Sequence, residues 1–444
     1  KALYVNTANN NTACGYESLV ATTTGTNNVA VGNYAMTANT TANNNTAVGM
    51  QAGDAITTGA SNVAIGYASL GACTTAGSNT VVGATAMASS TSASGCVAIG
   101  GGAFGGAATT GANSVAIGIN AGYLTTSGAS NVLIGYACGD ANTTGSNNTA
   151  VGYNALTGNT TGTVSTAIGN TALAAQTTGS GNTAVGETSL QNLTTSVSNT
   201  AVGNNALGDV TEGVGQNTAV GRYAGMKVTT GTSNAFVGYY SGPALTTGAS
   251  NTAMGNGAYE LGTTGSSNTC IGANAGNVLT TGSNNSCLGN DADATAVDVS
   301  NEFTLGNVAV DNLRCADTSI SALSDERDKA EIADLPSNAG LDFVNSLRPV
   351  TFYWDNRDWY SDGISDGSKI THDYNNDIAK SGQRMGFIAQ EVKDSISGMK
   401  YMEDSQVVNG TEEKLEFAPA HLITPLVKAI QQLSEEVESL KAQL

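Results

Sequence analysis

Short apolar runs recur along the first two thirds of the chain, and each run ends at a glycine. Examples are Thr-Ala-Val before Gly49 and Val-Ala-Ile before Gly118. Fifteen of the seventeen intervals between these glycines are 17 residues long, and the other two are 18. The glycines are Gly15, Gly32, Gly49, Gly66, Gly83, Gly100, Gly118, Gly135, Gly152, Gly169, Gly186, Gly203, Gly221, Gly238, Gly255, Gly272, Gly289 and Gly306. A fixed period this short predicts a solenoid in which each repeat is one coil.

Within a coil, each three-residue run predicts a short strand. In the run Thr149, Ala150, Val151, the outer two side chains share one face and Ala150 takes the other. The outer positions are mostly β-branched, which suits a half-buried pleated surface. We therefore interpret the small middle residue as pointing outward, where it forms a subunit interface. The alternative is that the small residue only limits the thickness of the coil.

The rest of the coil predicts a second strand and a polar loop. The recurrent pair that follows the glycine, as in Ala172-Leu173, is interpreted as the second strand, and a Thr-Thr-Gly loop closes the coil. Asparagine precedes the first strand in 14 of 18 coils, and stacking in register predicts a structural Asn ladder. A rise of about 4.8 Å per coil predicts a mainly β, parallel roll of about 80 Å with about 17–18 coils. Such a thin roll is marginal alone.

Composition separates this shaft from the rest of the chain. Residues 1–306 hold three basic and eleven acidic residues, whereas the remaining 138 hold 13 and 24. The net charge of −19 argues against nucleic acid and against an anionic membrane surface. No apolar run suits membrane insertion, and seven cysteines at irregular spacing indicate buried free thiols rather than disulfides or a metal site. No cofactor is expected.

We expect three regions: the shaft at 1–306, a connector at 307–323 and an α+β domain at 324–444 that ends in a helix at 421–444. Apolar residues at alternating spacings of three and four run to the last residue and predict a trimeric coiled coil. The alternative is an amphipathic helix that lies on its own domain. The predicted trimerisation seam is Ile423, Leu426, Ile430, Leu433, Val437, Leu440 and Leu444. An Asp-rich insert between Trp354 and Arg384 lacks the ligand spacing of a calcium loop, and His372 and His421 are too isolated to predict a zinc or catalytic site.

Ser324 and Lys329 form a candidate nucleophile and base in the run Ser-Asp-Glu-Arg-Asp-Lys. Such a pair requires a neutral lysine amine, and on its own the pairing is no more specific than a capped helix start. Three further blocks follow in order: LRPVTFYW at 347–354, MGFIAQEV at 385–392 and LITPLVKAIQ at 422–431.

Together the four blocks closely resemble the C-terminal intramolecular chaperone of phage endosialidases and tail fibres. The resemblance covers about residues 318–444. It implies a homotrimer that cuts itself between Leu323 and Ser324, with Ser324 as nucleophile, Lys329 as base and Asp325 and Arg327 in support. Asp328 stands where many members have an apolar residue. No activity on external substrates is implied.

The shaft motif Asn-Ser-Val-Ala-Ile-Gly at 113–118 resembles the head repeat of trimeric autotransporter adhesins, whose heads are parallel β-rolls packed three to a rod. Similar arrays occur in phage tail fibres. These resemblances imply a viral tail fibre for host attachment, located on the virion and assembled in the host cytoplasm. The expected partners are an upstream tail, baseplate or anchor region and a host glycan or protein receptor. Because Ala2-Leu3 resembles the interior of a repeat, we expect residue 1 not to be the natural N-terminus.

Three alternatives remain. The chain is a cellular surface adhesin that uses the same chaperone, or an ice-binding solenoid with a Thr ladder, or an enzymatic spike. The last finds no support in the repeats, because the shaft lacks the clustered acid–base pair that glycan cleavage needs.

Overall fold

The computed structural model describes residues 1–4, 7–212, 215–310, 332–352, 384–405, 407–411 and 414–443. The chain forms two compact units, Lys1–Arg314 and Cys315–Leu444. The first is a parallel β-solenoid and the second is a small α+β unit, as the sequence predicts.

The solenoid has one three-residue strand per coil, and each strand pairs in parallel with the next to form an 18-stranded sheet. Because the repeat has a fixed length, equivalent residues of neighbouring strands lie opposite each other, as Thr149 lies opposite Thr166. The two longer coils keep the register, because Val97 still pairs with Val115 and Thr200 with Thr218. The strands β1–β18 are Thr12–Cys14, Val29–Val31, Thr46–Val48, Val63–Ile65, Thr80–Val82, Val97–Ile99, Val115–Ile117, Val132–Ile134, Thr149–Val151, Thr166–Ile168, Thr183–Val185, Thr200–Val202, Thr218–Val220, Ala235–Val237, Thr252–Met254, Thr269–Ile271, Ser286–Leu288 and Phe303–Leu305.

The expected second strand of each coil is wrong. The segment after each glycine is a series of turns, and Leu156 and Leu173 adopt left-handed backbone with φ of 56° and 52°. Left-handed residues cannot continue a strand. The turns still bond from coil to coil, since the amide of Leu156 donates to the carbonyl of Ala172 at 2.9 Å.

The predicted orientation of the strand is also wrong. Ala150 and its equivalents in β2–β17 are buried inside the coil, whereas the third residue points out, with Val48 37% and Ile65 38% exposed. The cause is interior volume: Leu156, from the turn segment of the same coil, is fully buried too and leaves room only for a methyl group opposite. The Ala stripe therefore limits coil thickness and is not a subunit interface.

Exceptions to the Ala rule are compensated within the coil. Phe236 occupies the buried middle position of β14, and glycines replace the turn leucine at Gly225 and Gly242. A Cβ at Gly225 would lie 2.7 Å from the Phe236 ring, and one at Gly242 would also clash with it. The same exchange occurs where Leu133 takes the middle strand position and Gly139 replaces the turn leucine. One interior slot is thus filled either from the strand or from the turn, which keeps packing density constant.

The recurrent glycine is required by both backbone conformation and space. Gly66 has φ +128°, and a Cβ there would lie 2.6 Å from the carbonyl oxygen of Gly83 in the next coil. Its amide donates to the carbonyl of Val48 in the preceding coil at 2.8 Å. Glycine therefore marks the corner where successive backbones approach most closely.

The predicted Asn ladder is confirmed. The side chain of Asn251 donates to the carbonyl of Gly265 at 2.9 Å, and its oxygen accepts the amide of Asn268 at 2.9 Å. The left-handed residue is the one before the ladder position, for example Ser250 with φ 60°. Because buried polar groups are costly unless bonded, the ladder explains why asparagine recurs there.

A short ladder residue is compensated by a longer neighbour. Ser165 replaces asparagine, and the buried side chain of Gln176 reaches in to bond Ser165 at 3.3 Å, Asn159 at 3.2 Å and Asn182 at 3.0 Å. The interior therefore keeps its hydrogen bonds when the ladder residue shortens.

The described part of the second unit contains three short α-helices, one helix of 20 residues and two antiparallel strand pairs. The helices are α1 Leu341–Ser346, α2 Ala389–Ile396, α3 Lys400–Asp404 and α4 Ile423–Ala442; the strands are β19 Val350–Phe352, β20 Arg384–Gly386, β21 Val408–Thr411 and β22 Lys414–Phe417. Strand β19 pairs with β20, and β21 with β22. The hydrophobic core of the second unit includes Phe343, Val392, Ile396, Met402 and Leu422. Across the described residues, no helix has the length and apolarity to cross a bilayer.

Candidate functional sites

The predicted cleavage site lies outside the described residues. Leu323, Ser324, Asp325, Arg327 and Lys329 all fall within 311–331. Their roles as nucleophile, base and support therefore stay predictions. The Asp-rich insert and His372 also lie outside the described residues, within 353–383.

Helix α4 carries the predicted seam, apart from Leu444, which lies outside the described residues. Pro425 occupies its first turn, where the missing amide costs nothing. The six described seam residues are all exposed, Ile430 to 67%. They are Ile423, Leu426, Ile430, Leu433, Val437 and Leu440. The helix thus presents an uncovered apolar stripe at heptad spacing.

A different face of α4 packs on its own unit. Pro425 and Ala429 are buried. The side-chain oxygen of Gln432 accepts a hydrogen bond from the backbone amide of Leu341 at 2.6 Å, and its side-chain nitrogen donates one to the carbonyl of Ser337 at 2.9 Å. The alternative of an amphipathic helix covered by its domain therefore does not account for the seam. The seam lies on a face that this packing leaves free.

An exposed ion pair ties α2 to the segment before β19. The Arg348 guanidinium donates to both carboxylate oxygens of Glu391. The hydrogen bond from Arg348 lowers the pKa of Glu391, and the same bond raises the pKa of Arg348. The Glu391 contribution is present at neutral pH and is lost as the pH falls through its lowered pKa. Both side chains are exposed, so this pair orients α2 and adds little stability.

The third strand position forms an apolar column along the shaft, here called the outer column. Its residues are Cys14, Val31, Val48, Ile65, Val82, Ile99, Ile117, Ile134, Val151, Ile168, Val185, Val202, Val220, Val237, Met254, Ile271, Leu288 and Leu305. None is charged, and each is half-buried or exposed. A contiguous apolar stripe of this length is the kind of surface through which proteins associate.

The next column, directly after each glycine, is mixed. It holds Tyr153, Asn170, Glu187, Asn204 and Arg222 at successive coils. Because charged and polar residues recur there, this column faces solvent. The sequence did not reveal one cluster at this column. In it, Arg222 contacts the ring of Tyr223 and Tyr239 contacts the ring of Tyr240. The available signal was that two of the three basic residues of the shaft lie in one coil.

Comparison with known proteins places one region in a family. Residues 324–399 match the family described as chaperone of endosialidase, so this region is a chaperone-of-endosialidase domain downstream of a β-solenoid shaft. No curated protein matches the chain. No solved structure matches it either.

Proposed function

We propose that the chain is a homotrimeric attachment fibre of a phage, in which the C-terminal domain assembles three shafts and then cuts itself off. The observation that carries this proposal is the chaperone-of-endosialidase match at residues 324–399 behind the solenoid. The match begins at Ser324, the residue after the predicted cut. On this proposal the protein lies on the virion and is assembled in the host cytoplasm.

Two apolar surfaces favour a trimer. The outer column needs a cover with the same period and length as the shaft, and a second and third copy of the chain supply that cover. The seam of α4 needs facing helices with the same heptad spacing. A trimeric helix at the C-terminus would also align the shafts, since a nearly uniform repeat otherwise permits slippage by whole coils.

The proposed cleavage is an acyl shift followed by hydrolysis. Lys329, as a neutral amine, takes the proton of Ser324, and Oγ attacks the carbonyl carbon of Leu323. The Leu323–Ser324 peptide bond breaks as the Ser324 nitrogen leaves with a proton, and an ester forms. Water then hydrolyses the ester, leaving a carboxylate at Leu323 and a free amine at Ser324.

A denaturing gel tests the cleavage. The wild-type chain is expected to release a 121-residue fragment, residues 324–444, and Ser324→Ala is expected to abolish it. Ser321→Ala is the matched control and should leave cleavage intact. Absence of the fragment from correctly folded wild type, or its persistence in Ser324→Ala, contradicts the proposal.

Analytical ultracentrifugation tests the trimer. Ile168 is 39% exposed in the outer column, and Ile168→Asp would place three unpaired carboxylates at one level of the rod. The trimer should dissociate or melt at a lower temperature. Asn170→Asp adds the same charge two residues away in the mixed column and should have little effect. A monomeric wild type, or equal effects of the two variants, refutes the assignment.

The alternatives have their own tests. A cellular adhesin predicts a secretion signal or membrane anchor upstream in place of a tail-docking region. For the ice-binding hypothesis, Thr57 donates its hydroxyl to the carbonyl of Thr74 at 3.1 Å, so the first threonine of this Thr-Thr-Gly loop is committed within the shaft, whereas the second, Thr58, is exposed. Thermal hysteresis of the purified shaft would favour that hypothesis.

A further inference from the structure

Four side chains from the turns after β13 and β14 form one cluster of rings and positive charge, in which two side chains are exposed and two are half-buried. The Arg222 guanidinium lies over the Tyr223 ring, 4.5 Å from its centroid, and donates to the Tyr223 hydroxyl at 2.8 Å. The ring of Tyr240 meets Tyr223 edge-on at 5.2 Å and Tyr239 at 4.8 Å with a 45° tilt. Tyr239 is 47% exposed. These contacts bring the guanidinium and the three rings together.

The guanidinium has unused donors. One of its nitrogens is committed to Tyr223, and in the described part of the chain no carboxylate lies in salt-bridge range of it. The nearest acidic residue in the same column, Glu187, lies two coils away and accepts from Asn204 at 3.1 Å. An arginine whose plane is fixed by an aromatic ring is prepared to bind a carboxylate with two parallel hydrogen bonds.

The rings favour a sugar as the carrier of that carboxylate. Tyrosine offers an apolar face with a polar edge, which suits the C–H face and hydroxyl rim of a pyranose. Asn204 and Asn256 extend the same column on either side of Arg222 and Tyr239. Four coils from Asn204 to Asn256 span roughly 15 Å, enough for a few sugar residues laid along the rod. The column is solvent-facing, so the outer column can pack against other copies without covering it.

We propose that Arg222, Tyr223, Tyr239 and Tyr240 form a binding site for an acidic polysaccharide, with one sugar carboxylate on the guanidinium and the neighbouring rings against Tyr239 and Tyr240. The inference rests on the proposed function, because it supplies a ligand class for an attachment fibre. It also accounts for the position of Arg222, the single arginine of an otherwise acidic shaft.

Biolayer interferometry of the full chain on immobilised oligogalacturonate tests the site. Wild type is expected to bind with a Kd on the order of 1 mM, at least tenfold tighter than it binds neutral dextran or polyglutamate. Arg222→Gln should weaken binding about tenfold, because it removes a charge-assisted pair, and Tyr239→Ala about fivefold. The matched controls are Lys227→Gln, which removes a charge from the same coil, and Tyr153→Ala, which removes a ring that stacks on Tyr136 and that no cation of the described residues lies over. Both should stay within twofold of wild type.

The outcomes separate this site from the fibre itself. Equal binding by wild type and Arg222→Gln, or equal binding to oligogalacturonate, dextran and polyglutamate, overturns the site. Each variant is first checked for wild-type sedimentation and for the 121-residue fragment. If those two properties persist while acidic glycan binding is absent, the site fails and the fibre proposal stands. If wild type is monomeric and uncut, the fibre proposal fails whatever the binding result.

Discussion

Replacing one corner glycine should open the shaft locally. In Gly66→Ala, the new residue must hold φ +128°, which costs about 1–3 kcal/mol for a non-glycine residue. Its Cβ must also displace the carbonyl of Gly83, which lies 2.6 Å from the ideal position, and overpacking of this kind costs about 1–3 kcal/mol. The local loss is therefore about 2–6 kcal/mol, which raises the opening constant of these coils by about 30-fold or more.

Hydrogen–deuterium exchange with mass spectrometry is the suitable assay, because coils interact only with their neighbours and damage stays local. Amides of Val63–Ile65 and Thr80–Val82 should lose protection, while those of a distant strand, Thr252–Met254, should not. The matched control is Gly101→Ala, where the nearest atom to the new Cβ is 3.9 Å away. Unchanged protection in Gly66→Ala, or equal loss in Gly101→Ala, would refute the reasoning that close approach of coils dictates the glycine.

Three more outcomes follow from the interior and its ionisable groups. Phe236→Ala should cost about 3–5 kcal/mol through its cavity, and adding Gly242→Leu should recover part of that loss in denaturant unfolding; a double variant no better than Phe236→Ala contradicts the shared slot. Burial raises the pKa of Asp293, whose carboxylate accepts a hydrogen bond from the Asn277 amide at 2.6 Å. The free energy of unfolding should therefore fall as the pH rises through that raised pKa. Asp293→Asn should melt at a higher temperature than wild type at pH 7, but not at a pH well below 3.8, the ordinary pKa of an aspartate. Burial raises the pKa of Cys138 to about 12, so iodoacetamide should leave Cys138 unlabelled in the native protein and label it on unfolding; labelling of Cys138 in native protein as fast as in unfolded protein would contradict the burial.

Periodicity alone was enough to predict the coils and the ladder. Both depend on one residue type recurring at fixed spacing, and a stacked register turns that recurrence into contacts between neighbours. The inward face of the strand could not be read in the same way. Alternation separates Ala150 from Val151 but does not state which side encloses the core, and that was decided by the buried Leu156.

Other features depend on tertiary contacts that the sequence does not display. Leucine disfavours left-handed backbone, so only burial in the coil explains the turn at Leu173. The ring cluster joins residues 18 positions apart in two coils, and nothing local links Arg222 to Tyr240. For Ser324 and Lys329 the resemblance remains the sole basis, and the gel with Ser324→Ala is the direct measurement.

The ladder has a mechanical consequence for the shaft. Hydrogen bonds between coils run along the rod axis, so a pull on the tip loads every junction in series, and the weakest junction sets the breaking force. Cys96 stands where most coils have asparagine, and its thiol reaches the carbonyl of Gly111 only at 3.6 Å, a weak bond for sulfur. The same coil carries the extra residue before Gly118. Tension would therefore part the shaft first between β6 and β7, leaving six strands on one side and twelve on the other.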